Sequence, residues 1–306
     1  MIGSGGLAMK TIAGLAALSV LFAGPALAQD VGGPPPPPPP PPPAPATTVA
    51  LPEWRAVPAE NLLVIDTTRG RILVELMPEV APLHVERIKL LARRGFYDSV
   101  PWHRVIDWFM AQTGDPLGNG EGQSPYPDLK GEFTFRRDSG MPFAAVAEPA
   151  GARVGFFHSL PIQTQPDAAF ALTGDGKVHG WGLYCPGVAG MARDEGNDTA
   201  NSQFFLMRQS YPALDKRYSI WGMTVSGLDV VRSLRVGDGD NGMVTAEPDR
   251  MTRVRIAADI AEGERPAVQV LATDSPRFRA MVDETRTSRG ADFSVCDVVL
   301  PVQVTN

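Results

Sequence analysis

Cysteine is scarce in this sequence. The 306 residues hold two, Cys185 and Cys296, with no C-x-x-C pair, which excludes a disulfide-dense scaffold and a cysteine-built zinc or thioredoxin-type site. An excess of positive charge is missing too. With 28 Lys and Arg against 34 Asp and Glu, net charge −6, no broad basic surface can neutralise a phosphate backbone, and nucleic acid is not an expected partner. No uninterrupted apolar run reaches the roughly 20 residues of a membrane span. What is present suits a globular chain: 43% apolar and 20% charged residues supply a hydrophobic core and exclude global disorder. The first 60 positions do not read as core, so the length points to one folded domain of about 200 to 250 residues.

The N-terminus carries an export signal: Lys10, the apolar run Ile12 to Phe22 broken later by Gly24 and Pro25, and Ala26-Leu27-Ala28 with small residues at the cleavage positions. Cleavage after Ala28 is expected to release a soluble, exported, periplasmic protein with no stable membrane insertion. Residues 29–58 form a linker dominated by ten prolines, Pro34 to Pro43. Such a tract makes neither helix nor ladder and extends as polyproline II over about 31 Å. It is read as a stiff spacer.

From Asn61 the pattern changes. Leu62 to Asp66, a turn at Thr67 to Gly70, and Arg71 to Leu76 predict a β-hairpin with Ile72, Val74 and Leu76 on one face. Pro82 opens a helix carrying Val85, Ile88, Leu91 and Ala92 inward, with Arg87, Lys89, Arg93 and Arg94 outward and Gly95 as its end. Strands are expected at Val100 to Ile106, Phe109 to Gln112, Val188 to Ala192, Gln203 to Met207 and Val254 to Ile260, and a second helix through Leu228, Val231 and Leu234 closed by Gly237. A helix-capped antiparallel barrel satisfies this inventory, since closure removes exposed edges.

Three strings carry a resemblance: APLHVERIKLLARRGFYDSVPWHRVIDWFMAQTGD, GMARDEGNDTANSQFFL and LDKRYSIWG. In this order they resemble the cyclophilin family of peptidyl-prolyl isomerases. The resemblance implies a mainly β fold, a closed eight-stranded antiparallel barrel capped by two α-helices, with no cofactor and no metal. It places Arg104 at the catalytic arginine and Gln112 at the side chain that holds the substrate backbone. Phe109 and Met110 match the floor of the proline pocket, and Ala192, Gln203, Phe205 and Leu214 the groove lining. Arg193 stands where an asparagine commonly offers its backbone, and Tyr218 where the family has a histidine. Read alone, Phe109, Phe205 and Leu214 are also what any barrel core contains, and Arg104 could be a surface strand residue.

The implied reaction breaks no bond. An X–Pro amide resists rotation by roughly 18 to 20 kcal/mol because twisting destroys C–N resonance. Acceleration by about 10⁴ requires roughly 5.4 kcal/mol. One charged hydrogen bond to the pyramidalising nitrogen supplies roughly 1.5 to 3 kcal/mol, so apolar walls must provide the rest. Arginine suits the donor role through its permanent charge and fixed fork of N–H groups. Proline-containing segments of exported clients are the expected partners. A proline-peptide binding chaperone or scaffold with little turnover is the alternative.

The sequence departs from the family in several places. Ala213 replaces a tryptophan of the groove wall, so cyclosporin binding should be weak; Asp107-Trp108 replaces Pro-Gly; and the loop Asp194 to Thr199 is one residue longer. Residues 116–187 are an insertion within a domain spanning 59–262. Their scattered phenylalanines favour an ordered body beside the groove, against a mobile loop as the rival. The extension 263–306 shows a helical segment near Phe278 to Thr287 and a strand-like one at Val298 to Val304. Cys185 and Cys296 either pair after export or remain thiols. Gly118 to Gly122 and Asp238 to Gly242 read as turns, and His158, His179 and Cys185 lack metal-site spacing.

Overall fold

The structure, a computed structural model, describes residues 52–305. The export signal and the proline tract lie outside the described residues. Strands β1 (Trp54–Ala56), β2 (Leu62–Thr67) and β3 (Gly70–Leu76) precede helix α1 (Pro82–Arg93), followed by β4 (Arg104–Val105) and β5 (Met110–Thr113). Next come β6 (Phe135–Arg137), β7 (Ala144–Ala147), β8 (Arg153–Phe157), β9 (Leu160–Thr164) and β10 (Val178–Gly182). Then β11 (Val188–Met191), β12 (Phe204–Met207), β13 (Ile220–Ser226), helix α2 (Leu228–Ser233) and β14 (Met251–Ile256) complete the family-like part. The chain ends with β15 (Ala267–Leu271), α3 (Pro276–Arg289) and β16 (Val302–Thr305).

Eight strands form one antiparallel sheet in the order β14-β2-β3-β13-β11-β12-β5-β4. It curls until the segments beside its two edges meet. Full closure into a barrel, expected from the resemblance, is not seen: no ladder joins β4 to β14, because β4 is only two residues long. A seam replaces it, made of the bridge Pro101–Arg250 and of hydrogen bonds from Ser99 to Met251, Met251 to Val100 and Trp102 to Asp249. Side chains alternate across the sheet. Ile65, Ile72, Val74, Phe204, Leu206 and Trp221 point into a core sealed by Val85, Ile88 and Leu91 of α1.

Two charged residues of α1 differ from expectation. Arg87 and Lys89 are buried rather than outward, because the chain after β5 meets the helix at Arg87 and the turn before β2 meets it at Lys89. The Arg87 guanidinium donates to the carbonyls of Asn201 and Pro127, and Lys89 Nζ donates to Asn61. Glu132 covers the helix start, accepting the N–H groups of Leu83 and His84 and facing His84 Nδ1 at 2.7 Å. A carboxylate there satisfies orphan amides and complements the helix dipole. The second helix is shorter than expected. It stops at Ser233, since Leu234 is extended, Arg235 N–H is taken by Asp249, and Gly237 N–H bonds to Val105 beside the sheet edge.

Residues 116–187 hold a second sheet, β6-β10-β9-β8-β7, with Phe135, Phe156 and Phe157 buried. A third sheet, β1-β15-β16, covers the outer face of β2 and β3, where Leu62, Val64 and Leu73 pack on Val268 and Val270. Thus β1 lies within the stretch read as linker, and the run Leu62 to Ile65 is apolar because both of its faces are covered. Cys185 and Cys296 are joined in a disulfide with Cα atoms 5.1 Å apart, tying the end of the second sheet's segment to the extension. Among the described residues, no helix is long and apolar enough to cross a membrane.

Candidate active site

Register brings the predicted residues together. Arg104 on β4 lies opposite Gln112 on β5, Gln112 opposite Phe205 on β12, and Phe205 opposite Gly190 on β11. Directly opposed residues share a face, so these side chains and Met110 line the outer surface of the sheet, while Ala111, Phe204 and Leu206 point into the core. Met110, Phe205 and Leu214 are buried in one apolar cluster, and half-buried Phe109, Ala192 and Tyr218 pack against it. The Tyr218 ring meets Phe205 edge-on at 5.9 Å. Arg193 lies 4.5 Å over the Tyr218 ring and donates to the carbonyls of Arg217, Asp194 and Glu195. This ties the lengthened loop to the wall.

The polar side of the site is a chain of hydrogen bonds. Arg104 Nη1 donates to Gln112 Oε1 at 3.0 Å and Nε to the Asn241 carbonyl at 2.8 Å. Gln112 Nε2 donates to Gln203 Oε1 at 2.9 Å, and Gln203 Nε2 donates to the carbonyls of Gly120 and Gly122. Asp115 shapes that turn by accepting the N–H groups of Leu117, Asn119 and Gly120. Burial pulls the Arg104 pKa below its ordinary value, yet a guanidinium keeps its charge in proteins. Gln112, Ala192, Arg193 and Gln203 also line a recess of 80 Å³. A larger cavity of 760 Å³, walled by β13, α2 and the extension, contains none of the predicted site residues.

Two residues escaped the sequence reading. Tyr211 rests on Phe109, ring centroids 4.6 Å apart, beside the position where Ala213 leaves the wall small. Tyr184 stacks on Phe205 at 5.8 Å. Neither lies in a family motif string, so only the fold could place them. Among the described residues no group of three His, Cys, Asp or Glu side chains is placed to hold a metal.

The comparison with known proteins decides the family. A family model described as cyclophilin type peptidyl-prolyl cis-trans isomerase/CLD matches residues 62–256. The chain belongs to the cyclophilin family. It is 34% identical over 216 residues to a probable peptidyl-prolyl cis-trans isomerase of Brucella suis, covering 67% of this chain and 86% of that one. A Brucella abortus relative of the same description is 33% identical over 216 residues, with the same coverage. The crystal structure of the cyclophilin AquaCyp293 from Hirschia baltica superimposes with a TM-score of 0.75 at 34% identity, covering 82% of this chain and 93% of that one. The cyclophilin described here is therefore a peptidyl-prolyl cis-trans isomerase, and its match extends past the family model's bounds into the surrounding chain.

Proposed function

We propose that this cyclophilin accelerates X–Pro isomerisation in exported proteins without covalent chemistry, with Arg104 assisting the twist of the amide. One observation carries the reading. Gln112 and Asn241 fix the Arg104 guanidinium through Nη1 and Nε, while Nη2 has no hydrogen bond among the described residues. A donor pre-aimed at low reorganisation cost favours a charge distribution that appears only in the twisted state. Phe109, Met110, Phe205 and Leu214 form the apolar site for the proline ring. Gln112 and Gln203 hold the substrate backbone, with Ala192 and Arg193 beside it and Tyr218 as a wall. The curled sheet acts as a closed barrel through its seam, and residues 116–187 and 263–306 are accessory bodies on the core at 59–262.

Export draws support from the leader-like N-terminus and from the Cys185–Cys296 disulfide, since such bonds persist in oxidising compartments. A protease-coupled peptide assay on the protein lacking residues 1–28 tests the catalytic reading. Turnover is expected in the parent and a loss of about ten- to hundredfold in Arg104→Ala. An Arg104→Ala variant as fast as the parent removes the mechanism. Binding of proline peptides without turnover by the parent replaces it with the scaffold alternative.

A further inference from the structure

Phe205 is held from behind by a residue that belongs to none of the family motif strings. Tyr184, in the segment joining β10 to β11, stacks on the Phe205 ring with centroids 5.8 Å apart and planes 25° apart. Tyr218 closes the other side edge-on at 82°. The far ends of the two rings converge over Gly190: a Cβ there would lie 2.6 Å from Phe205 Cζ and 2.7 Å from Tyr184 Oη. Only a residue without a side chain leaves room for both.

Tyr184 is 1% exposed, so it touches no substrate. Its hydroxyl has no hydrogen-bond partner among the described residues, which is unfavourable for a buried group. What the residue supplies is its plane. Its backbone is pinned towards the pocket wall: the N–H donates to Asp215 Oδ1 and the carbonyl accepts from Tyr211 N–H, each at 2.9 Å. Asp215 follows Leu214, and Tyr211 rests on Phe109. The next residue, Cys185, is bonded to Cys296 of the extension.

We infer that Tyr184 is a positioning residue that sets the orientation of Phe205 and thereby the width of the proline pocket. Through it, the segment 116–187 and the extension act on substrate binding. The inference rests on the reading of Phe205 as part of that pocket.

Steady-state constants for an Ala-Pro peptide and its proline-ring analogues separate the two ideas. Tyr184→Leu is expected to raise KM about two- to tenfold, the worth of one aromatic contact, with a smaller change in kcat. Tyr184→Phe, which keeps the plane, restores the parental KM. On a Phe205→Leu background, Tyr184→Leu should add nothing. If Phe205→Leu itself leaves KM and kcat unaltered, the pocket reading fails. If Phe205→Leu raises KM and folded Tyr184→Leu does not, the positioning role alone fails, as it does if Tyr184→Phe is as impaired as the leucine variant. Aromatic NMR of the parent supplies a measurement free of folding defects: saturating Ala-Pro peptide should shift the ring signals of Tyr184 together with those of Phe205. Tyr184 signals that stay fixed while Phe205 moves overturn the inference.

Discussion

Arg104 and Gln112 face each other across the β4–β5 ladder and are hydrogen-bonded, Nη1 to Oε1, at 3.0 Å. The amide on the same Gln112 donates to Gln203, so its oxygen is committed to the arginine. If this pair acts as a unit, its substitutions do not add. Gln112→Leu is expected to lower kcat/KM about tenfold by freeing the guanidinium. The double variant with Arg104→Ala should be no slower than Arg104→Ala alone. A multiplicative loss in the double variant would show that the two side chains work independently.

Arg193 offers a second test, on binding rather than on the twist. Its guanidinium covers Tyr218 and has no carboxylate partner among the described residues; it donates to backbone carbonyls of the loop and of Arg217. Loss of an interaction made equally in ground and transition states raises KM and spares kcat. Arg193→Ala should therefore raise KM severalfold, and Arg193→Lys, lacking the planar fork, should recover only part of it. An effect confined to kcat contradicts this.

Much of the site was legible because it sits on short strands whose register is fixed. The period-2 alternation from Met110 to Gln112 and from Phe205 to Met207 places the outward residues on one face, and the motif strings contain Met110, Gln112 and Phe205. The fold was less complete. Closure was overestimated because sequence shows that strands exist and not whether Val100 to Ile106 pairs along its length; only Arg104–Val105 forms a ladder strand, and Pro101 meets Arg250 in an isolated bridge. Arg87 and Lys89 look like solvent-facing charges on a helix, but Arg87 is met by the chain at Pro127 and Lys89 by Glu60 and Asn61, partners far from the helix in sequence. Tyr184 and Tyr211 carry no local signal, since their partners, Phe205 on β12 and Phe109 in the turn before β5, are distant in sequence. The tail's helix was placed near Phe278 to Thr287; α3 runs wider, Pro276–Arg289, with Ser275 capping it by accepting Phe278 N–H.

The disulfide predicts a stability effect. Cys185 and Cys296 are 111 residues apart, and closing a loop of this size in the unfolded chain is worth up to about 4.7 kcal/mol, typically 2 to 4. The same link holds α3 near β8, where Phe278 meets Phe156 at 5.8 Å. A Cys185→Ser, Cys296→Ser variant should melt about 4 to 16 °C lower, at roughly 2 to 4 °C per kcal/mol. Amide exchange should rise first in β15 and β16. Unchanged melting under reducing conditions would mean that packing alone anchors the extension.

A buried histidine and a half-buried aspartate pull stability in opposite directions with pH. His103 is buried beside Arg104, and burial holds its pKa below the ordinary value, against the attraction of Asp115. Its folded form favours the neutral ring, so its contribution is complete above about pH 6.5 and is lost as pH falls towards the folded value. Burial moves Asp215 the other way: its pKa is raised, against the lowering effects of Tyr184 N–H and Lys216. That contribution is complete below about pH 3.9 and is lost as pH rises through the folded value, leaving a half-buried charge at neutrality. His103→Asn should therefore flatten the decline in stability between about pH 7 and 5. Asp215→Asn keeps an oxygen to accept Tyr184 N–H while removing the charge, so it should raise Tm at neutral pH, and the gain should shrink as the solution is acidified towards about pH 4. Thermal melts across this range check both signs. An Asp215→Asn gain that persists or grows on acidification would show that the residue's charge costs the fold nothing.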